Sequence, residues 1–140
     1  PKVVLDLGFS TYIPKNYIAA DRQRMDVYRR IATCHTAKAI KEIAEELADI
    51  YGEVPDEVDS LLEMTRIRIK AGRLGLSSII VQGKNLVFSF AKATDDRAHA
   101  LFAKVRGDVR VRDTRTIAIQ LSPSYFEPRT LMMLLRKIFR

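Results

Sequence analysis

The chain has little of what disulfide, zinc or membrane chemistry requires. Its 140 residues include one cysteine, Cys34, and two histidines, His35 and His99. A lone cysteine cannot close an internal disulfide, and with so few histidines it forms neither a zinc site nor a redox pair. No apolar run approaches the ~20 residues that a membrane-spanning helix needs, and no charged-then-apolar leader is present. We therefore expect Cys34 to be an ordinary thiol. We also expect a cytoplasmic protein without a membrane partner.

The residue patterns of catalysis are missing as well. No Gly-x-x-x-x-Gly-Lys-Ser/Thr phosphate loop occurs, and the glycines of Gly72–Gly75 lie within and at the end of a predicted helix. The pairs Glu45-Glu46 and Asp95-Asp96 are adjacent in sequence, so each diverges around a helix instead of converging on a substrate. Neither histidine stands in a recognisable nucleophile context. The sequence therefore predicts no catalytic, cofactor-binding or metal-binding residue in this chain.

Apolar periodicity predicts an α+β fold. A strand comes first, three helices follow, and then two β-hairpins, each followed by a helix. Hairpins pair strands antiparallel and the helices come in runs, so we expect a two-layer arrangement with an antiparallel sheet. The length is that of one domain, and we expect residues 1–140 to form a single domain excised from a longer multidomain protein. The predicted elements are a strand over 3–7, helices over 21–32, 36–51 and 56–75, a hairpin over 78–90, a helix over 94–105, a hairpin over 109–121 and a helix from 128 onward.

The net charge of +7 is unevenly distributed along the chain. Residues 1–60 carry 8 basic and 11 acidic side chains, a net of −3, and residues 61–140 carry 16 and 6, a net of +10. In the basic half, Arg110 and Arg112 are expected on the solvent side of a strand because Val109 and Val111 take the core side, and Arg115 lies at the turn. These arginines could follow a phosphate backbone, although no exposed aromatic accompanies them for base stacking. The basic half is therefore interpreted as an accessory nucleic-acid contact, as a surface for an acidic partner, or as a solvated surface only.

The acidic half contains the segment with the most information. Over residues 40–51 an apolar stripe alternates with carboxylates at Glu42, Glu45, Glu46 and Asp49, which predicts a helix with one core face and one acidic edge. Gly52 stands where such a helix needs a left-handed residue at its end. On these residues alone, the acidic edge is either a binding surface or a solvated helix face.

The same segment carries a resemblance to a known family. Residues 46–55, read with Ile13-Pro14, Tyr17-Ile18, Arg24 and the run 28–32, resemble the C-terminal domain of bacterial transcription-repair coupling factors. The resemblance extends over the chain and is sharpest over residues 13–62. In that family the helix commonly ends Glu-Leu-x-Asp-Arg-Phe-Gly. Ile50 and Tyr51 stand here in place of the Arg and Phe, so a positive charge is absent from the acidic edge.

The resemblance implies an α+β fold and a non-catalytic, autoinhibitory role. In that family the parent protein is an ATP-dependent translocase on double-stranded DNA that displaces stalled RNA polymerase, and its N-terminal excinuclease-B-like module recruits excinuclease A. The C-terminal domain folds back over that recruiting surface. Glu46 and Asp49 match positions that face the module's arginines, with Glu42 and Glu45 as weaker neighbours. The resemblance implies no cofactor in this domain, and ATP and Mg²⁺ for the parent's motor modules.

Overall fold

The computed structural model describes residues 2–140, which divide into two compact units. The helical unit comprises residues 10–69, and the sheet unit comprises residues 2–9 together with residues 70–140. Within the described residues, no helix is both long and apolar enough to cross a membrane. Whether residues 1–140 behave as one domain stays a prediction. The helices are α1 Asp21–Ala32, α2 Ala37–Tyr51, α3 Asp56–Arg73, α4 Asp96–Ala100 and α5 Pro128–Ile138, and the strands are β1 Val4–Asp6, β2 Leu76–Gln82, β3 Asn85–Phe90, β4 Asp108–Asp113 and β5 Thr116–Gln120.

The helical unit is built from α1, α2 and the part of α3 that precedes residue 70. Helix α2 begins where the sequence predicts, because the hydroxyl oxygen of Thr36 accepts a hydrogen bond of 3.1 Å from the amide of Ala39. It ends at Gly52, which has φ 90° and ψ −169°. The helices share one apolar cluster, whose buried members are Ile13, Ile18, Val27, Ile31, Ile40, Ile43, Leu47, Val58 and Leu62.

An irregular segment over residues 10–20 is hydrogen-bonded to α1 and α2. The side chains that make these bonds belong to residues that carry the family resemblance. The Tyr28 hydroxyl accepts a hydrogen bond of 2.7 Å from the amide of Ile13. Arg24 donates to the carbonyl oxygens of Ile18 and Ala19, each at 2.9 Å. The hydroxyl of Tyr17 lies near the carboxyl end of α2, where carbonyl oxygens lack helical partners. Tyr17, Arg24 and Tyr28 thus use their side chains to fix the backbone of this segment and of the end of α2.

The sheet unit contains five strands in the order β1-β2-β3-β5-β4. The pairs β2·β3, β3·β5 and β4·β5 are antiparallel, as the two predicted hairpins require. Strand β1 pairs with β2 in parallel, with Val4 opposite Ser78, so the expectation of a wholly antiparallel sheet was wrong. A parallel neighbour needs a long crossover, and the three helices between β1 and β2 supply it. The sheet is mixed, and the α+β class and the predicted order of elements are confirmed.

One face of this sheet is covered by helices of the same unit. Phe88 of β3 is fully buried, and its ring centroid lies 4.8 Å from that of Phe102 and 6.4 Å from that of Phe139. The apolar side of α5, including Leu131 and Leu135, is buried as well. Helix α4 ends at Ala100, earlier than predicted, and the chain continues in tight turns in which the amides of residues 101, 102, 103 and 105 donate to the carbonyl three residues before.

Candidate partner-binding surface

The acidic edge, defined as Glu42, Glu45, Glu46 and Asp49, lies on α2 opposite its core stripe. Ile40, Ile43 and Leu47 are buried, and their spacing of three and four residues leaves the carboxylates on the outward side of the helix. Side chains three or four residues apart are neighbours on a helix surface. The structure therefore brings Glu42, Glu46 and Asp49 into one row, with Glu45 beside it.

Glu46 already has a cationic partner within the chain. The Arg30 guanidinium, which comes from α1, donates to Glu46 Oε2 in an ion pair whose side chains are 47% and 44% exposed. This hydrogen bond lowers the pKa of the Glu46 carboxyl and raises the pKa of Arg30. Because both groups remain half in water, the pair is screened and contributes little to stability. The carboxylate that the sequence singles out is thus shown to accept an arginine, one of its own chain.

The other three members of the acidic edge remain available. Glu42, Glu45 and Asp49 are exposed, and no ion pair or hydrogen bond of their side chains is found within residues 2–140. Clustered carboxylates that lack cations can receive guanidinium groups in two-pronged contacts. Binding by Glu42, Glu45, Glu46 and Asp49 to a partner stays a prediction.

The end of α2 carries one exposed apolar side chain next to the acidic edge. Ile50 is 61% exposed, whereas the neighbouring Tyr51 is half-buried with its ring centroid 5.7 Å from that of Tyr17. The Tyr51 hydroxyl donates to Gln23 Oε1 of α1 at 3.4 Å. The Tyr17 hydroxyl lies 2.9 Å from the carbonyl oxygen of Gly52 and 3.1 Å from that of Leu47, and burial raises its pKa. These contacts fix the last turn of α2, on which Asp49 and Ile50 lie.

Arg30 is the cationic neighbour of Glu46 that sequence reasoning missed. The sequence places Arg30 on the outward side of α1, but its distance from Glu46 depends on how α1 and α2 pack, which no local pattern specifies. The only sequence signal is the presence of an arginine and a glutamate on two consecutive predicted helices. That signal does not choose between Arg29 and Arg30, and the structure gives Arg29 to Asp26 instead, at 3.5 Å.

The candidate nucleic-acid residues are exposed on and beside β4, and two of their side chains have partners. Arg110 donates twice to Asp108 Oδ2, at 2.7 and 2.9 Å, which raises the arginine's pKa. Arg112 donates to Gln82 Oε1 at 3.3 Å. At the turn, the amide of Arg115 donates to Asp113 Oδ1 at 2.8 Å and lowers the pKa of that carboxyl. The three arginines lie close together along the chain, but the carboxylates of Asp108 and Asp113 reduce their net charge.

The valines of β4 do not lie in the core, contrary to the expectation from alternation. Val109 is 38% and Val111 is 57% exposed, although they pair with the fully buried Ile119 and Ile117. Alternation sets which face a side chain takes, but not how far the covering helices extend. Strand β4 is the last strand of the sheet and is exposed along both faces.

Cysteine and carboxylate chemistry gives no further site in the described part of the chain. Cys34 Sγ donates to the carbonyl oxygen of Arg30 at 3.2 Å, and burial raises the thiol's pKa. Across residues 2–140, no group of three or more histidine, cysteine, aspartate and glutamate side chains could hold a metal ion.

These features define the class as an α+β domain with a mixed sheet, in which a three-helix segment separates the first strand from the rest. The fold matches the crystal structure of a C-terminal domain of transcription-repair coupling factor with a TM-score of 0.72 and 18% identity, covering 98% of this chain and 92% of that chain. At that identity the likeness shows the fold alone. The TRCF domain family matches residues 7–101, and the chain belongs to this family.

The curated relatives that match are much longer proteins. The chain is 32% identical over 96 residues to the transcription-repair-coupling factor of Staphylococcus haemolyticus, an alignment that covers 68% of this chain and 8% of the relative. It is 27% identical over 112 residues to that of Helicobacter pylori, covering 80% of this chain and 11% of the relative. The chain therefore spans only about a tenth of the length of the relatives it matches.

Proposed function

We propose that this chain is a non-catalytic, autoinhibitory domain of a bacterial transcription-repair coupling factor. Its acidic edge would contact the excinuclease-B-like N-terminal module of the same parent protein and mask the surface that recruits excinuclease A. We call this contact the clasp. The observation that carries the proposal is the row of exposed carboxylates on α2, with Glu42 and Asp49 unpaired within the described chain. Membership of the TRCF domain family supports the choice of parent.

The electrostatics of the acidic edge suit a contact that can open. Exposed ion pairs are worth at most about 1 kcal/mol each, so several together give a modest, salt-sensitive affinity. Glu46 demonstrates the geometry, since its carboxylate accepts a guanidinium while half-exposed. Within one parent chain a weak contact can be sufficient, because its formation is intramolecular and does not depend on the protein concentration. Engagement of RNA polymerase by the parent would then open the clasp by changing the domain arrangement.

The remaining activities belong to the parent in this proposal. The parent would be an ATP-dependent translocase on double-stranded DNA in the bacterial cytoplasm, with ATP and Mg²⁺ bound by its motor modules. This chain would hold no cofactor. RNA polymerase and excinuclease A would be partners of the parent, and the N-terminal module would be the direct partner of this chain.

Calorimetric titration of this chain with the isolated N-terminal module tests the clasp. Wild type should bind, and the double variant Glu46→Arg, Asp49→Arg should lose binding by at least about tenfold, because two attractions become repulsions. The matched control Asp59→Arg, Glu127→Arg makes the same change in net charge at exposed positions off the acidic edge and should bind as wild type does. Absence of wild-type binding at concentrations up to about 1 mM would contradict the proposal.

The second candidate is an accessory nucleic-acid contact through Arg110, Arg112 and Arg115. The exposure of all three arginines supports it, and the ion pair that occupies Arg110 weighs against it. Titration with duplex DNA distinguishes the two candidates, because phosphate binding weakens steeply with salt for any duplex sequence. DNA binding that Arg112→Gln, Arg115→Gln abolishes, together with no module binding, would favour this second candidate.

A further inference from the structure

Ile50 presents a large apolar side chain to water at the end of α2. It is 61% exposed, a value equalled among the large apolar side chains of residues 2–140 only by Met133. The other isoleucines of the helix, Ile40 and Ile43, are buried. A single exposed isoleucine is common on protein surfaces and indicates no function by itself. The groups that surround it decide whether it marks a site.

Ile50 lies among the carboxylates of the acidic edge. Helical spacing places it one turn beyond Glu46 on the same side of α2 and directly after Asp49. Glu46 Oε2 is occupied by Arg30, which leaves Oε1 for a second donor, and Asp49 makes no ion pair within the described residues. The surface therefore has Ile50 as its apolar centre. The Glu46 carboxylate, which is bound through one oxygen to Arg30, lies on one side, and the Asp49 carboxylate, which has no ion pair within the described residues, lies on the other.

This arrangement has the anatomy of a protein interface. Exposed ion pairs add little affinity, because their charges stay hydrated. Most of the affinity of an interface comes from a few side chains that lose water at its centre, while polar and charged groups form the rim. An acidic edge without an apolar centre would bind a basic surface only weakly and with little discrimination between basic surfaces.

We infer that Ile50 is the anchor of the clasp, and that the surface it enters is an apolar recess bordered by arginine or lysine side chains. The inference rests on the proposed function and adds the chemistry of the partner surface. Asp49 and the remaining oxygen of Glu46 take cations at the rim, and Ile50 fills the recess. The carboxylates exclude an acidic or purely apolar occupant, because their charges would face repulsion or lose hydration without compensation.

The test extends the titration with the N-terminal module to three single variants. Ile50→Ser removes the apolar side chain and should weaken binding by about tenfold or more. Ile50→Val keeps a branched apolar side chain and should retain most of the affinity. Met133→Ser is the matched control, since it removes an equally exposed apolar side chain elsewhere, and it should bind as wild type does. All three variants change side chains at the surface, and thermal melts verify that each variant is folded.

Salt separates the apolar contact from the rim charges. Wild-type affinity should fall as salt rises, while the ratio of the Ile50→Ser Kd to the wild-type Kd should stay constant, because apolar burial is not screened. Equal binding by wild type and Ile50→Ser would overturn the anchor and leave the proposed function intact. A loss shared by Met133→Ser would also overturn it, since the effect would then be unspecific. Failure of wild type to bind would instead overturn the proposed function and, with it, this inference.

Discussion

At the scale of single residues, the ion pair between Arg30 and Glu46 makes the acidic edge dependent on pH. The hydrogen bond from Arg30 lowers the pKa of Glu46, so the folded chain binds this proton more weakly than the unfolded chain does. The stabilisation is therefore present above the unfolded-state pKa and is lost as the pH falls through the folded-state pKa. We expect the acidic edge to keep this pair at neutral pH and to lose it only in acid.

The variant Arg30→Gln should return the pKa of Glu46 towards its ordinary value, because the variant lacks the charge-assisted hydrogen bond. Carboxyl-carbon NMR titration of Glu46 measures the shift directly. Arg29→Gln is the matched control, since Arg29 pairs with Asp26 instead. An unchanged titration curve of Glu46 in Arg30→Gln would show that the pair does not persist in solution.

The side-chain contacts of the candidate site were harder to predict from the sequence than the positions of its residues. The spacing of carboxylates predicts an acidic edge on α2, and the structure confirms their position on the outward side of this helix. The occupation of Glu46 by Arg30 could not be predicted, because it depends on the register between α1 and α2. The exposure of Val109 and Val111 was missed for a similar reason, since it depends on how far the covering helices reach.

At the scale of secondary-structure elements, Tyr17 ties the segment over residues 10–20 to the end of α2. In Tyr17→Phe the hydroxyl that reaches the carbonyl oxygens of Leu47 and Gly52 is lost. We expect a loss of about 1 kcal/mol in the free energy of unfolding, measured by urea titration. Tyr12→Phe is the control, because Tyr12 is 52% exposed, and it should change stability little. Equal stability of both variants would mean that water replaces the Tyr17 contact without loss.

Gly52 ends α2 in a backbone conformation that suits only glycine. Its φ of 90° and ψ of −169° place it where a β-carbon clashes with its own backbone, although no neighbouring atom lies within 4 Å of the position that an added methyl group would take. Gly52→Ala should therefore destabilise the fold by about 1–3 kcal/mol.

Gly72→Ala provides the control for Gly52→Ala, because the same substitution there meets helical backbone. The added methyl would lie 3.4 Å from a Val3 side-chain carbon, an ordinary contact. We expect no loss of stability at Gly72, or a gain of up to about 1 kcal/mol. Urea titration of both variants measures the difference, and a Gly52→Ala variant as stable as wild type would contradict the backbone argument.

The elements themselves were predictable wherever a local signal exists. The Thr36 hydroxyl caps the start of α2, as expected of a threonine at that position, and Gly52 ends the helix. Gly52 has the expected positive φ, but its ψ of −169° is extended and differs from the left-handed helical conformation expected there. The sequence suggests Asp21 as the N-cap of α1, but the helix already begins at Asp21, and the N-cap position is Ala20, whose side chain makes no capping hydrogen bond. The parallel pairing of β1 was missed because only three residues of that strand are paired, and their partners lie far along the chain.

At the scale of the whole molecule, α3 is continuous across the boundary between the helical and sheet units. Its residues up to Ile69 belong to the helical unit, and those from Lys70 onward belong to the sheet unit. Breaking this helix at the boundary would sacrifice backbone hydrogen bonds in both units. We therefore expect the 140 residues to unfold as one cooperative domain.

Differential scanning calorimetry tests that cooperativity. A single transition should appear, with equal calorimetric and van't Hoff enthalpies and a total of about 100 kcal/mol, given roughly 0.7 kcal/mol per residue. Two resolved transitions, or a van't Hoff enthalpy near half the calorimetric one, would show that the helical and sheet units unfold separately. In that case the single-domain prediction would be wrong.

The parallel strand also sets an order of events during synthesis on the ribosome. Val4 of β1 pairs with Ser78 of β2, so 74 residues (78 − 4) must be added after Val4 before its partner exists. At roughly 5–20 residues per second, translation needs about 4–15 s for that stretch. The helices encoded between the two strands can form within microseconds as they emerge, whereas β1 waits in an unpaired state. Strand β1 therefore stays unpaired while the three helices are made, and it can join the sheet at its edge as soon as β2 has emerged.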